Sequence, residues 1–195
     1  MNYAITPRDK KIQSQYKTII QRTIPFLLMS YEQGYFESHI ANTYSALETM
    51  IAGLSSDSNE ETGNSLSAND FKRLTRKIKT VIHAEVTDPK IYNGITRKLG
   101  ELNRRPILDR LLALLKQYSV PVEKVWSSNT DIATELGKII KRRNLYIHQG
   151  RIDDFGQYYD DYSRLRVLIE LWILRLLDCP DDSINDASFH MISKR

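Results

Sequence analysis

Arg143, Asn144 and His148 fall within six consecutive residues and are followed by Gln149 and Gly150. Arginine offers a planar fork of donors that matches a phosphate. Histidine, with an unperturbed pKa of about 6.5, takes or gives a proton near neutrality. Cleaving RNA without a metal calls for these groups: a base for the ribose 2′-hydroxyl, an acid for the departing 5′-oxygen and positive charge on the phosphorane. On a helix, Asn144 and His148 are four residues apart and share a face. Arg143 lies about 100° round from Asn144, but its long side chain can reach forward to the same pocket while its stem packs. One arginine and one histidine make half a site. A symmetric dimer joining two such helices would supply two of each.

Each of these residues also has a structural reading. His148 at a helix C-terminus suits the dipole and the last carbonyls. Arg143, lying within an apolar stripe, can serve an ion pair with Glu48 or Glu170. Tyr158, Tyr159 and Tyr162 can stack on bases, although tyrosine at helical spacing more often packs. The His, Cys and carboxylate residues show no metal-ligand spacing, so no metal and no cofactor is expected. Cys179 has no evident base beside it, which argues against a thiol nucleophile.

From Lys138 to Ile152 the chain carries five cations (Lys138, Lys141, Arg142, Arg143, Arg151) and no carboxylate. Such a run attracts polyanions. Its alternative is a solvated face paired with the acids that follow, Asp153, Asp154, Asp160 and Asp161.

The elements that must position these residues read as helices throughout. Thr6-Pro7-Arg8-Asp9 has the form of a helix start, with Ile12, Tyr16, Ile19 and Ile20 at helical spacing and Pro25 placed to kink or divide the helix. A second helix is predicted over Tyr35 to Leu54, with Ile40, Tyr44, Leu47, Met50, Ile51 and Leu54 on one face. Ser55 to Asn69 is polar and reads as a surface loop. Basic and shorter helices follow over Phe71 to Val86 and Ile91 to Leu99, and Pro106 opens an amphipathic helix through Leu115. Ser128-Asn129-Thr130-Asp131 suggests a capping box. Beyond it Ile132, Leu136, Ile139, Ile140, Arg143 and Ile147 trace a buried stripe that Gly150 would cap. The last helix, about Asp160 to Asp178, is apolar on more than one face. It is therefore either central to the bundle or shared with a partner chain. Phe189, Met191 and Ile192 in the tail can dock back.

These patterns predict an all-α chain: one helical domain over residues 1–195 with its core at about 35–178. Hydrophobic residues make up 41% and charged residues 27% of the chain, the balance of an ordinary globular protein. A single cysteine and no apolar leader or spanning run point to a soluble, cytoplasmic protein without membrane contact. The net charge of +4 decides little by itself.

Arg-Asn-x3-His at the end of an amphipathic helix, followed by a loop and a long apolar helix, resembles the HEPN superfamily. Tyr44-Ser45-Ala46-Leu47-Glu48-Thr49-Met50 is similar to an early helix of that superfamily, and the Arg110-Leu111-Leu112 helix falls where its members place a packing helix. Within it, the ApeA-like group associated with phage defence is the nearest match. Members of that group often carry a separate N-terminal domain, so this chain would be a stand-alone protein or an excised domain.

The resemblance implies a HEPN-like bundle of four to five helices, usually a homodimer with a composite cleft. Its activity would be a metal-independent endoribonuclease in antiviral defence or as a toxin. Arg143 would bind the scissile phosphate, His148 would transfer the proton and Asn144 would orient one of them. Lys141, Arg142 and Arg151 would add salt-sensitive attraction for the RNA backbone. The alternative is a non-catalytic HEPN module that binds RNA, a nucleotide or a nucleotidyltransferase-type antitoxin partner.

Overall fold

The computed structural model describes residues 7–32, 34–55, 63–150, 152–180, 182 and 184. They form seven α-helices: α1 Pro7–Met29, α2 Phe36–Ser55, α3 Ala68–Glu85, α4 Pro89–Lys98, α5 Ile107–Gln117, α6 Ile132–Gln149 and α7 Phe155–Leu176. Two 3-10 turns, Leu99–Asn103 and Val122–Lys124, join them. The only β pairing among the described residues is an isolated antiparallel bridge between Asn64 and Arg104. The all-α class read from helical periodicity is the class observed.

Helix α7 sits at the centre. Leu165, Leu168, Ile169, Leu171 and Trp172 have no exposed surface, and Val167 has 1%. Its apolar residues on several faces are thus covered within one chain, so of the two positions the sequence left open the central one is observed. Helix α2 packs against it through the predicted face, Ile40 to Leu54, all of which is buried. Helix α1 lies across α2 at Gly53, where an added Cβ would stand 2.7 Å from the Ile19 side chain. Only glycine permits that approach. Helices α5 and α6 close the remaining side, with Leu111, Leu114, Leu136 and Ile139 buried.

Some boundaries differ from expectation for local reasons. Helix α1 passes through Pro25 undivided. Asp131 does not complete a capping box begun at Ser128; it is itself the N-cap of α6, accepting from the Ala133 amide at 3.1 Å. Helix α7 starts five residues before the predicted Asp160, because the Asp154 carboxylate caps it by accepting from the Gln157 amide at 3.2 Å. Gly150 caps α6 as predicted, at φ 63°, where a side chain would be strained. Ile147, expected in the buried stripe, is 47% exposed. The tail cluster at Phe189, Met191 and Ile192 lies outside the described residues.

Helices α3 and α4 stand apart from this core. Neither contributes a buried residue, and they pack chiefly on each other and on the 3-10 turn at Leu99. The hairpin is clasped at its base. Ser65 donates to the Asn103 carbonyl at 2.7 Å, and Arg105 donates to the Gly63 carbonyl at 3.2 Å. The Asn103 side chain accepts from Leu66 at 2.8 Å and donates back to its carbonyl at 3.1 Å. Asn103 is only 5% exposed, so these bonds satisfy a polar group that burial would otherwise penalise. Among the described residues no helix is long and apolar enough to cross a membrane.

Candidate functional site

The second half of α6 carries the predicted residues and sends them in different directions. Asn144 and His148 are exposed on its outer face. They line a shallow groove of about 400 Å³ together with Gly137, Ile140, Lys141 and Leu145. Every one of those residues belongs to α6. The groove is one face of one helix, open along its length, and no other element among the described residues covers it.

Arg143 does not line that groove. It turns inward to α2, where its Nη2 donates to Glu48 Oε1. Its Nη1 donates to Asn144 Oδ1 at 2.9 Å, which is the link between the arginine and the outer face. The Arg143 side chain is 20% exposed and that of Glu48 is 40% exposed, so the pair is partly desolvated. Burial pulls the guanidinium down from its ordinary value, yet arginine stays cationic in proteins. Of the two carboxylates read as candidate partners, the structure selects Glu48.

Beneath the motif lies a second ion pair. Arg142 makes a two-pronged contact with Asp161 of α7, Nε to Oδ2 at 2.5 Å and Nη2 to Oδ1 at 2.7 Å. Asp161 is 1% exposed. Burial pushes its carboxyl up from the ordinary range while the guanidinium fork pulls it back down; on the other side, that bond raises the arginine. Tyr158 donates to the Arg142 carbonyl at 3.0 Å. Tyr44 of α2 approaches the same charges, and burial drives its hydroxyl far above the usual tyrosine value. It is a proton-holding group at any working pH.

These pairings change the meaning of the basic run from Lys138 to Ile152. Arg142 is committed to Asp161, Arg143 to Glu48, and Lys138 to Glu135 at 2.7 Å. Arg142, expected to attract RNA, is held by a buried carboxylate with its side chain 20% exposed. Lys141 is exposed and borders the groove. Arg151 lies outside the described residues.

The tyrosines sort in the same way. Tyr158 and Tyr162 are buried, and Tyr162 donates to the Ser30 carbonyl at 2.7 Å. Tyr159 alone of the three is exposed, at 54%. Among the described residues no three His, Cys, Asp or Glu side chains come together in a group able to hold a metal ion.

On the α2 side of Glu48 a larger groove opens, about 520 Å³, bordered by Asn64, Arg104 and Arg110. Arg110 is half-buried, its Nε has no partner, and burial and then the neighbouring Arg104 charge lower its affinity for its proton. In the sequence Arg110 is placed on a packing helix and Arg104 is not singled out, because both lie outside the motif helix. Their signal is charge concentration near Pro106, not spacing. No protein-family model, no curated protein and no solved structure matches this chain.

Proposed function

We propose that this chain is a metal-independent endoribonuclease of HEPN type, acting in defence or as a toxin, with a composite site formed by two copies. The observation that carries the reading is that Asn144 and His148 share a groove lined, among the described residues, by α6 alone. One histidine on this face, with Lys141 beside it, lacks the second proton carrier that phosphodiester cleavage requires. A second copy related by a two-fold axis supplies it. Gly137 in this face offers no bulk against a facing helix, and Ile147 beside it is exposed.

In this reading His148 of one protomer takes the 2′-hydroxyl proton and its counterpart protonates the leaving 5′-oxygen. The products are a 2′,3′-cyclic phosphate and a free 5′-hydroxyl. Arg143, released from Glu48 or sharing its remaining donors, stabilises the pentacoordinate phosphate, and Asn144 holds it toward the groove. A second reading, a silent HEPN module that binds RNA, a nucleotide or an antitoxin partner, draws on one observation: Arg143 already has a carboxylate partner in the free chain.

Gly137→Glu tests the composite site. A Cβ there meets only Leu108, at an ordinary 3.6 Å, so the fold should tolerate it while the face gains bulk and charge. Sedimentation should show a dimeric parent that cleaves RNA and a monomeric variant that does not. A monomeric parent that cleaves RNA would overturn the shared site.

A further inference from the structure

The positive charge of this protein resides in its projecting hairpin. Residues 68–105 hold ten Lys and Arg against four Asp and Glu, a net +6 in a chain whose total is +4. The remainder of the molecule is therefore net negative, at −2. Of the four hairpin acids, Asp70 is paired with Arg73 at 2.9 Å and Asp88 accepts from the first amides of α4. Arg73 is the one hairpin cation with a carboxylate partner within hydrogen-bonding distance among the described residues.

Helical spacing segregates these charges. On α3, Lys72, Arg76, Lys79 and His83 follow one face while Phe71, Leu74, Ile78 and Ile82 follow the opposite one. On α4, Lys90, Arg97 and Lys98 lie away from Tyr92, whose ring meets His83 edge-on at 5.6 Å. All six of these Lys and Arg residues are exposed. The hairpin contributes no buried residue yet keeps a one-sided cationic face of roughly 27 Å along α3. At its base it runs into Arg104 and Arg110, which border the groove beside Glu48, the partner of Arg143.

We infer that the α3–α4 hairpin is a binding arm for the phosphate backbone of a nucleic acid, leading through the Arg104–Arg110 groove toward Arg143. Cations in a row without carboxylate partners bind by releasing counterions, so affinity falls with salt in proportion to the phosphates neutralised. The choice of RNA as the strand rests on the ribonuclease reading; the polyanion assignment rests on the charge distribution itself.

Fluorescence anisotropy with a labelled 30-nucleotide RNA tests this, using the His148→Ala chain so that the strand survives. It is compared with the same chain carrying Lys72→Gln, Arg76→Gln, Lys79→Gln and Arg97→Gln, all at exposed positions, with helicity checked by circular dichroism. The expected result is tight, salt-sensitive binding whose log–log salt slope drops by about 3 in the quadruple variant, at about 0.7 per phosphate contact. An unchanged slope, or no binding by the His148→Ala chain, would overturn the inference. Binding to anionic vesicles that Val81→Asp with Ile91→Asp abolishes, without RNA binding, would overturn it in favour of a membrane surface. RNA binding through the arm without cleavage by the parent would sink the ribonuclease reading and leave the arm standing. Cleavage with an unchanged salt slope would do the reverse.

Discussion

Arg143 of α6 donates to Glu48 of α2 across 95 positions of sequence, so the arginine that would clamp a phosphate is held by a carboxylate in the free chain. The consequence is a competition. A phosphate entering the motif must displace Glu48 or share its guanidinium. Removing the Glu48 charge favours the ligand, and Glu48→Gln on the His148→Ala background should tighten RNA binding. The gain expected is on the order of fivefold, equivalent to about 1 kcal/mol for a partly exposed ion pair. Anisotropy at fixed salt measures it, and weaker binding would show that Glu48 positions Arg143 instead of opposing its ligand.

Arg142 should behave as a structural residue. Its removal leaves Asp161, 1% exposed, charged and unpaired. Arg142→Ala should therefore cost about 3–5 kcal/mol in urea unfolding. Lys141→Ala, at an exposed neighbouring position, should leave stability within about 0.5 kcal/mol. Equal and small effects at both positions would contradict the neutralised-pair description.

Glu170 of α7 gives the fold a pH dependence. Burial alone pushes its carboxyl up to about 7, against an unfolded value near 4.5. The folded chain therefore holds a proton that the unfolded chain releases between those values. Stability is fully present below about pH 4.5 and falls as pH rises to about 7, by roughly 1–3 kcal/mol. Glu170→Gln should raise the Tm at pH 8 and leave it nearly unchanged at pH 4.5. A variant with the parent's Tm at pH 8 would show that the carboxylate is better solvated than its setting suggests.

The hairpin clasp is separable from the core. Asn103→Ala removes the bonds to Leu66 that close the base of the arm, at a cost of about 1–3 kcal/mol. Because α3 and α4 bury nothing, the loss should appear as faster hydrogen exchange in residues 68–98. Amides of α2 and α7 should keep their protection. Acceleration in both regions would mean that arm and core unfold together.

The helices were legible because each carries its own periodicity and stops, such as the α2 face from Ile40 to Leu54 and Gly150 after α6. The all-round apolar pattern of α7 left two outcomes open, and only tertiary packing decided that it is central. Charge was read less well. Counting cations between Lys138 and Ile152 could not reveal that Glu135, Glu48 and Asp161 neutralise three of them, because two of those partners come from distant helices. The hairpin charges were visible in the sequence, but their independence from the core was not. In the motif, the shared face of Asn144 and His148 follows from helix geometry, whereas the inward turn of Arg143 depends on where α2 lies.

The central claim is that His148 moves a proton in metal-free RNA cleavage. Total RNA incubated in EDTA with the purified chain, beside His148→Ala with unchanged helicity and sedimentation, tests it most directly. The prediction is that the parent yields fragments ending in 2′,3′-cyclic phosphate and the variant yields none. Equal cleavage by both, or intact RNA with both, would contradict it.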